Sequence, residues 1–409
     1  MLDEVSEGNL RYFSKQQQLS AFSHEQHPTM TRYDYIICGF GCAGMSLLYQ
    51  LLQSPFKNAR IALIDESNKK ANDRTWCYWA KEPVATHPKS TELIAWDAVQ
   101  VQVGEHKIVK QLDRLRYFHI RSSDFYKEIL LLAEKHENVT FIQAKVNTIE
   151  NLVDQSTAVH LENGMVIYGG KTFNSIPLNQ QLESNTLKQV FLGWKIKTDQ
   201  TAFDPSVPTL MHFPNGKFTA NEFFYILPFN ESTALVEYTL YTTQETTLEK
   251  LKEKLVSYLS TTLTCSYEIL FQEQGAIPMS TKIQGKTSSK NIIDIGSIAG
   301  CIKPSTGYTF YDIQKHSEAL VQQLVKEEHV FKGWMRKSRF EFYDNILLNI
   351  AKKWPESLPS IFAQMFQKNQ GQQVLRFLHE ETSLWEDLQI LARFKFGIFI
   401  KSLLHYEKN

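Results

Sequence analysis

The hydrophobic and polar positions near the start of the chain predict a strand, a helix and a second strand. Residues 33–38 form a short β-branched and aromatic run that ends at a glycine. Apolar residues then recur at helical spacing over 45–52, and residues 60–65 have the composition of another buried strand. These three elements together predict a βαβ unit, which opens a nucleotide-binding α/β fold.

The rest of the chain leaves that pattern and later returns to it. Residues 155–280 are rich in short strands and turns, interrupted by one predicted helix near 245–260. A strand at 292–295 then leads through glycines into a helix near 308–326, and the pattern is mostly helical from about 335. We therefore expect a sheet-rich insertion in the nucleotide-binding fold, followed by a helical C-terminal region.

Composition excludes several classes of protein. Of 409 residues, 43% are hydrophobic and 12% aromatic, which is too many for a disordered chain. Basic and acidic residues number 44 each, so the basic excess of a nucleic-acid binder is missing and no nucleic-acid partner is expected. The five cysteines form no C-x-x-C pair, which argues against a disulfide scaffold and a structural zinc site, and we assign no metal.

Nothing in the sequence predicts a membrane span or a signal peptide. No uninterrupted apolar run approaches the roughly 18–20 residues that cross a bilayer. Residues 1–32 are polar and carry acidic residues where a signal peptide carries Lys or Arg, so we expect a loose tail and a cytoplasmic protein.

A glycine-rich loop lies between the first strand and helix. Gly39, Gly41 and Gly44 match G-x-G-x-x-G, in which the glycines permit a tight turn, approach of a pyrophosphate and close packing of the helix on the strand. The free N–H groups of the helix N-terminus favour phosphate. Asp65 ends the second strand about 20 residues later, where a carboxylate binds ribose hydroxyls. The pattern predicts a dinucleotide site.

A second glycine junction bears on which dinucleotide is bound. Residues 295–300 read I-G-S-I-A-G, with Gly296 and Gly300 between the returning strand and its helix. Such a junction is typical of FAD proteins, and a plain nicotinamide dehydrogenase does not need one. A pair of helix-packing glycines would have the same sequence, so this segment alone leaves both interpretations open.

Longer strings carry a more specific resemblance. They are N-D-R-T-W-C-Y-W (72–79), F-D-P (203–205), L-M-H-F (210–213), F-Y-I-L-P (224–228), A-L-V-E-Y-T (234–239), G-A-I-P-M (275–279) and G-C-I-K-P-S-T-G-Y-T-F (300–310). In this order, from about residue 33 to about 404, the chain resembles the lycopene cyclase family, the bacterial type related to plant lycopene β-cyclases. The strings at 72–79 and 303–310 are far more specific than the glycine loop.

The resemblance implies an α/β protein of the flavin monooxygenase and geranylgeranyl reductase type. We expect a Rossmann-like FAD-binding domain in two parts (33–175 and 281–330), a sheet-rich substrate domain (176–280) and a C-terminal helical region (331–409). It also implies a redox-neutral cyclisation of the ψ end groups of lycopene to β-ionone rings, giving β-carotene through γ-carotene. Reduced FAD would be required, with NADPH as the reductant.

Individual residues carry over from the family. Gly39, Gly41, Gly44 and Asp65 match the FAD fingerprint, and Arg74 in D-R-T-W is expected to face the flavin or the active site. Glu237 matches the first glutamate of the motif that plant cyclases write F-L-E-E-T. The chain departs from the family pattern at Tyr238, which replaces the second acid, and at His212, where many bacterial members have Asp. Ser297 stands where hydroxylase relatives have Asp.

Ring closure requires an acid that protonates a terminal double bond and a surface that stabilises the cation. A carboxyl buried among apolar residues stays protonated because desolvation raises its pKa, which predicts that Glu237 is the acid. Asp204 and Glu222 are the next candidates. Trp76, Trp79, Phe224 and Tyr225 are aromatic residues that would support the cation. An isolated Glu in a strand usually faces solvent, and tryptophans usually belong to the core.

Two other functions compete with cyclisation. An FAD-dependent hydroxylase or isoprenoid reductase of the same superfamily would consume NADPH stoichiometrically, and a non-enzymatic isoprenoid-binding protein would need no flavin. Within the cyclases, the sequence does not distinguish a one-ring from a two-ring product or β from ε rings. It also does not distinguish lycopene from neurosporene as the substrate.

The C-terminal region contains an apolar series interleaved with cations. Leu384, Leu388, Leu391, Phe394, Ile398, Leu403 and Leu404 lie at roughly helical spacing. Arg393, Lys395, Lys401 and Lys408 lie among them, the composition of an interfacial helix, although a helix packed on the core has the same pattern. Since a C₄₀ hydrocarbon dissolves only in membranes, we expect peripheral association with the inner face of the cell membrane.

Overall fold

The structure is a computed structural model that describes residues 32–178, 183–282, 289–327 and 335–409. The predicted tail at 1–32 therefore lies outside the described residues, except for Arg32. Up to residue 174 the elements are β1 (Arg32–Cys38), α1 (Cys42–Leu52), β2 (Ile61–Asp65), β3 (Thr75–Ala80), β4 (Ile94–Trp96), β5 (Ala98–Val103), β6 (His106–Gln111), β7 (Arg116–Arg121), α2 (Ser122–Ala133), β8 (Val139–Gln143), β9 (Val146–Asn151), β10 (Thr157–Leu161) and β11 (Val166–Asn174).

The later elements alternate between long strands and helices before the chain becomes helical. They are β12 (Lys188–Thr198), β13 (Thr209–Phe213), β14 (Glu222–Asn230), β15 (Thr233–Thr242), α3 (Leu248–Thr262), β16 (Tyr267–Pro278), β17 (Ile292–Asp294), α4 (Phe310–Val325), α5 (Ser338–Lys353), α6 (Leu358–Lys368), α7 (Gly371–Leu378), α8 (Leu384–Leu391) and α9 (Gly397–Leu404).

The first sheet carries the predicted nucleotide-binding topology. Its strands β8, β2, β1 and β11 are parallel neighbours, β17 pairs parallel with β11, and β10 and β9 extend the sheet antiparallel. Every residue of β2 is buried, as a parallel strand covered on both faces requires. The predicted βαβ unit is confirmed, and the strand predicted at 292–295 returns to this sheet as β17.

The second sheet has the order β16-β12-β15-β14-β13-β5-β6. Its first five strands are antiparallel neighbours, whereas β5 pairs parallel with β13 and reaches this sheet from before residue 175. Helix α3 covers one face through a core that includes Leu255, Tyr258 and Phe224. A third, smaller sheet has the order β3-β7-β4. The cavity described below lies on the other face of the second sheet, opposite α3.

The C-terminal helices pack against the second sheet. Phe340 of α5, Phe362 of α6 and Leu375 of α7 share one core with Val99 and Val101 of β5. The predicted α/β fold with a sheet-rich part and a helical C-terminal region is thereby confirmed. Among the described residues, no helix combines the length and the apolar character needed to cross a bilayer.

The predicted apolar series at the C-terminus is divided between two short helices. Phe394 is buried in the core, and Leu391 and Ile398 pack against it, so the single amphipathic series expected from the spacing is wrong for these three residues. The chain turns between α8 and α9, which breaks the helical period. The large apolar side chains that α8, α9 and their connection leave exposed are Leu384, Trp385, Leu388, Phe396, Ile400, Leu403 and Leu404.

Candidate active site

The glycine loop is closed on two sides and open at its centre. Gly39 has φ +85°, and a Cβ there would clash with the Ser175 hydroxyl. A Cβ at Gly44 would clash with the carbonyl oxygen of Gly39, which shows how closely α1 packs on the loop. A Cβ at Gly41 would meet nothing within 4 Å. Gly41 is the N-cap residue of α1 and has no side chain that could cap the helix. The free N–H groups of the first turn can therefore bind an anion.

Asp65 holds this loop from below. One carboxylate oxygen accepts the Phe40 N–H at 2.6 Å, and the other accepts the Ser67 N–H at 2.9 Å and lies 3.0 Å from the Lys69 ammonium. The side chain is buried, with 6% of its residue surface exposed. In this structure Asp65 thus connects the glycine loop after β1 to the residues that follow β2, and its role toward a ribose stays a prediction.

The two glycine segments meet although they are far apart in sequence. Gly296 has φ +69° and Gly300 has φ +82°, both in the left-handed region that favours glycine. A Cβ at Gly296 would lie 2.7 Å from the Cβ of Ala43 in the first turn of α1. The second junction therefore packs directly on the start of the helix that follows the first.

A cavity of about 330 Å³ lies on the face of the second sheet opposite α3. Its floor consists of residues from β12, β14, β15 and β16, and its other walls come from β3, the loop before α4, and α6. The residues from β3 and the loop belong to the two family strings at 72–79 and 303–310. The sequence strings that carry the resemblance thus border one cavity together with Glu237.

Strand register explains which side chains form the floor. Tyr225, Glu237, Gly193 and Glu273 form one row across β14, β15, β12 and β16. Because side chains on a strand alternate between faces, all members of a row point to the same side, and Tyr225, Glu237 and Glu273 line the cavity. The next row on this face, Phe223, Thr239, Phe191 and Gly275, adds an aromatic wall.

The carboxyl of Glu237 lies in surroundings that favour its protonated form. Burial, and secondly the carboxyl of Glu273, raise the pKa of Glu237 to about 8. One oxygen accepts a hydrogen bond from the Thr239 hydroxyl at 2.8 Å. Glu237 thus lines the cavity and stays protonated near neutral pH, while its catalytic role stays a proposal.

Glu273 is a second cavity carboxyl that the sequence reasoning missed. It is 5% exposed and accepts the Thr75 N–H at 2.7 Å, while burial raises its pKa to about 7. The string G-A-I-P-M begins two residues after Glu273, but the pairing of β16 with β12 that brings Glu273 beside Glu237 cannot be read from that string. Arg74, next to Thr75, is exposed at the cavity edge and donates to the carbonyl oxygen of Asp73 at 2.7 Å.

Three tyrosine hydroxyls join the cavity walls. The Tyr117 hydroxyl lies 2.6 Å from that of Tyr225 and 2.7 Å from that of Tyr308. Tyr308 belongs to the string at 303–310, so these bonds connect the loop before α4 to both neighbouring sheets. Burial raises the pKa of Tyr117 and Tyr225 well above the ordinary value, which keeps both hydroxyls neutral.

Several predicted residues lie away from the cavity. Phe224 is fully buried on the opposite face, stacked on Tyr258 with ring centroids 3.6 Å apart, so its predicted contact with the cation is wrong. Strand alternation places Phe223 in the cavity instead. Tyr238 also faces α3, as expected from a regular strand. Trp79 is buried and donates its indole N–H to the Leu375 carbonyl oxygen, whereas Trp76 lines the cavity.

The two alternative candidates for the acid have other hydrogen-bond or ion-pair partners. Asp204 lies in a turn and accepts the N–H and the hydroxyl of Ser206. Glu222 is buried at the far end of β14, where it pairs with Lys254 at 3.0 Å. Neither of these two residues lines the cavity, which leaves Glu237 and Glu273 as its carboxyls among the described residues.

Solved structures with the same fold confirm the predicted fold type. The chain superposes on a geranylgeranyl bacteriochlorophyll reductase-like protein from Thermoplasma acidophilum with a TM-score of 0.61 at 12% identity, covering 92% of this chain and 99% of that one. A flavoprotein/dehydrogenase from Cytophaga hutchinsonii gives a TM-score of 0.58 at 12% identity, covering 92% and 98%. A variant of the halogenase PltM in complex with FAD gives 0.53 at 12% identity, covering 85% and 79%.

Sequence comparison gives a more specific relationship. The chloroplastic neoxanthin synthase of Solanum tuberosum is 24% identical over 312 residues, covering 72% of this chain and 61% of that protein, so the match spans less than two thirds of the relative's length. The family model described as lycopene cyclase protein matches residues 34–405. Since that match covers nearly the whole chain, the protein belongs to the lycopene cyclase family.

Proposed function

We propose that this protein is a lycopene β-cyclase, which closes the ψ end groups of lycopene to β-ionone rings and gives β-carotene through γ-carotene. One observation carries the proposal. Glu237, which lies in a motif of the lycopene cyclase family, lines a cavity with aromatic walls and stays protonated near neutral pH. Family membership supports a carotenoid cyclase, and the cavity supports an acid-catalysed reaction.

The chain itself supplies the proton and the surroundings for the cation. With a pKa near 8, Glu237 is protonated at pH 7 and can protonate a terminal double bond. Trp76, Phe191, Phe223 and Tyr225 line the same cavity, and their ring faces are negative enough to stabilise a carbocation. Aromatic walls would also reduce the access of water, which would otherwise capture the cation as an alcohol.

The residues of the two glycine segments fit a bound FAD. The open side of Gly41 and the uncapped start of α1 suit a pyrophosphate, and Gly296 packs beside them. Among the described residues, the buried hydroxyls of Thr306 and Thr309 have no hydrogen-bond partner, although both line the cavity that follows this junction. A bound flavin would supply such a partner. When bound in its reduced form it would contribute negative charge near the cation, and we propose NADPH as its reductant.

The fold relatives also include reductases and halogenases, so the experiment must separate a cyclase from a redox enzyme. Cells that accumulate lycopene should form cyclic carotenes when they express this chain. Purified protein with reduced FAD should convert lycopene without consuming NADPH in proportion to product. NADPH consumed once per product molecule, with oxygen or a saturated double bond in the product, would instead establish a hydroxylase or a reductase.

The acid itself is tested by Glu237→Gln. Glutamine keeps the shape and the hydrogen bond to Thr239 but has no acidic proton, so we expect turnover to fall by roughly 10²-fold or more. Tyr238→Phe is the matched control, since the neighbouring side chain faces α3 and should tolerate the change. Flavin content should stay near that of the wild type in both variants, and neither variant should melt at a lower temperature than the wild type. A folded Glu237→Gln protein with near-normal turnover would exclude Glu237 as the acid.

We also propose that α8 and α9 bind the inner face of the cell membrane. Leu384, Trp385 and Leu388 lie on one side of α8, and Ile400, Leu403 and Leu404 on one side of α9, all exposed. Lys395 lies between them. An apolar surface with adjacent cations is what an interfacial helix presents to a bilayer, where the hydrocarbon substrate is dissolved.

A further inference from the structure

Gly193 lies between the two carboxyls of the cavity. It pairs with Glu237 of β15 on one side and with Glu273 of β16 on the other. A Cβ at this position would lie 3.5 Å from the Cβ of Glu237 and 3.3 Å from the Cγ of Glu273. Any side chain at position 193 would therefore stand between Glu237 and Glu273, and glycine leaves the space between them open over the backbone of β12.

The two carboxyls are held differently. Glu273 is buried and accepts the Thr75 N–H at 2.7 Å, an interaction with a backbone donor that favours the ionised form. Glu237 is only partly buried and accepts from the Thr239 hydroxyl. The pair therefore has an ordered arrangement in which the more accessible member, Glu237, carries the proton and Glu273 is the member that ionises first.

The other titratable groups around the pair do not compete for this proton. Burial raises the pKa of Cys77 on β3 to about 12, and it raises the pKa of Tyr225 on β14 and Tyr308 in the loop before α4 well above the ordinary value. All three stay neutral where Glu237 and Glu273 titrate. The remaining charged groups facing Glu273 are Arg74 and Asp73, which precede β3 and carry opposite charges.

We propose that Glu273 is the base that completes the cyclisation; this inference rests on the proposed function. Glu237 gives its proton to the terminal double bond, and the electron pair of the second double bond forms the ring carbon–carbon bond. The ring cation then loses a proton from the adjacent carbon to Glu273, and that C–H electron pair becomes the ring double bond. The proton passes from Glu273 to Glu237, which restores the pair without an oxidant or a reductant.

Both cyclisation steps take place in one cavity, so the position of the base decides which carbon loses its proton. The ring cation has hydrogens on more than one neighbouring carbon, and each gives a different ring isomer. A base fixed by the Thr75 N–H and separated from the acid only by Gly193 selects one of them. Glu273 thus determines the ring type as well as the rate.

The test compares Glu273→Gln with Glu237→Gln and with Glu268→Gln, which removes an exposed carboxyl from the same strand. Glutamine at 273 still accepts the Thr75 N–H, so folding and flavin content should be kept. We expect a loss of roughly 10²-fold in turnover, with an increased share of other ring isomers in the residual product. Glu268→Gln should leave both rate and product unchanged.

The pH profile distinguishes a base from a residue that only shapes the site. Wild-type turnover should rise as Glu273 ionises and fall as Glu237 loses its proton, giving a bell-shaped profile. Glu273→Gln should lose the rising limb and keep the falling one. A single added methyl group in Gly193→Ala, which changes no ionisable group, should lower turnover by roughly tenfold because it separates the carboxyls.

The outcomes separate two failures. If the wild-type protein leaves lycopene unchanged under reducing conditions, the proposed function is wrong and this inference falls with it. If the wild type cyclises lycopene, and folded Glu273→Gln keeps both limbs of the pH profile and the wild-type ring isomer, the proposed function stands and Glu273 is not the base.

Discussion

At the scale of single residues, the chemistry of this site depends on carboxyls that modify each other. Glu237 alone in a polar strand would be ionised at pH 7 and unable to donate a proton. Burial and the neighbouring Glu273 change that, because two close carboxyls cannot both ionise without repulsion. Gly193 leaves the space between them open, because a Cβ there would lie within 3.5 Å of both side chains.

The same pair predicts how stability depends on pH. Both groups have an ordinary pKa of 4.5, raised to about 8 for Glu237 and about 7 for Glu273. The folded protein therefore binds more protons than the unfolded chain between these limits, and the free energy of unfolding falls as pH rises from about 4.5 to about 8. In Glu237→Gln this decrease should be smaller by up to about 1.4 kcal/mol per pH unit.

Urea denaturation of the wild type and Glu237→Gln at pH 5 and pH 8.5 measures this difference. Glu268→Gln is the control, because Glu268 is an exposed residue of the same strand as Glu273 and does not line the cavity. Parallel stability curves for wild type and Glu237→Gln across this range would show that the pKa of Glu237 in the folded protein equals its ordinary value.

The sequence could identify one of these carboxyls but not the other. Glu237 lies in a motif matched to a family, whereas Glu273 shares the cavity only through the register of β16 on β12, which contains an irregularity between Lys195 and Ile196. Pairing of distant strands is not encoded in any local pattern. The error over Phe224 is different, since alternation from Glu237 through the register of β14 would have placed Phe223 in the cavity.

At the scale of elements, the glycine loop combines two requirements that mutations can separate. Gly44 is needed for folding, because a side chain there would clash with the loop backbone, whereas Gly41 faces open space. We expect Gly41→Val to abolish FAD binding and to leave the apoprotein within about 0.5 kcal/mol of the wild type, as for surface changes. Gly44→Val should destabilise the fold by about 1–3 kcal/mol or more.

Flavin absorbance after reconstitution and urea denaturation of the apoproteins provide the two measurements. A stable Gly41→Val protein that binds FAD with wild-type affinity would refute the placement of the pyrophosphate. Equal destabilisation by both substitutions would show that Gly41, too, is required by the fold rather than by the ligand.

Another element-scale feature explains the lysine of the K-P-S-T-G-Y-T-F string. Lys303 is 5% exposed and lies 2.6 Å from a carboxylate oxygen of Asp344 in α5 and 3.0 Å from Glu380. Arg336 joins the same cluster through Glu380 and Asp312. These buried pairs tie the loop before α4 to the C-terminal helices, so Lys303 helps to hold the cavity wall in place.

At the scale of the whole molecule, the C-terminal helices form a second, apolar cavity next to the cavity of Glu237. A smaller cavity of about 50 Å³ has apolar walls from Leu391, Phe394 and Phe399. It shares Ser305 and Leu378 with the cavity of Glu237. Periodicity predicted the nucleotide-binding fold, the sheet-rich insertion and the helical region, but how the helices close the sheet depends on contacts between segments distant in the chain.

The proposed membrane binding can be tested through the proposed activity. Replacing Trp385, Leu388 and Leu404 together with Ser removes three exposed apolar side chains from α8 and α9. We expect binding to anionic liposomes to weaken by at least tenfold, since burying each such side chain contributes about 1.5–3 kcal/mol. Turnover of lycopene dissolved in liposomes should fall in parallel, whereas turnover of detergent-dispersed lycopene should stay near the wild-type rate.

Serine at the exposed Val153, Val256 and Leu270 is the matched control and should change neither liposome binding nor turnover. If the triple C-terminal variant binds liposomes as the wild type does, or if both triple variants lose binding equally, then α8 and α9 are not the membrane surface.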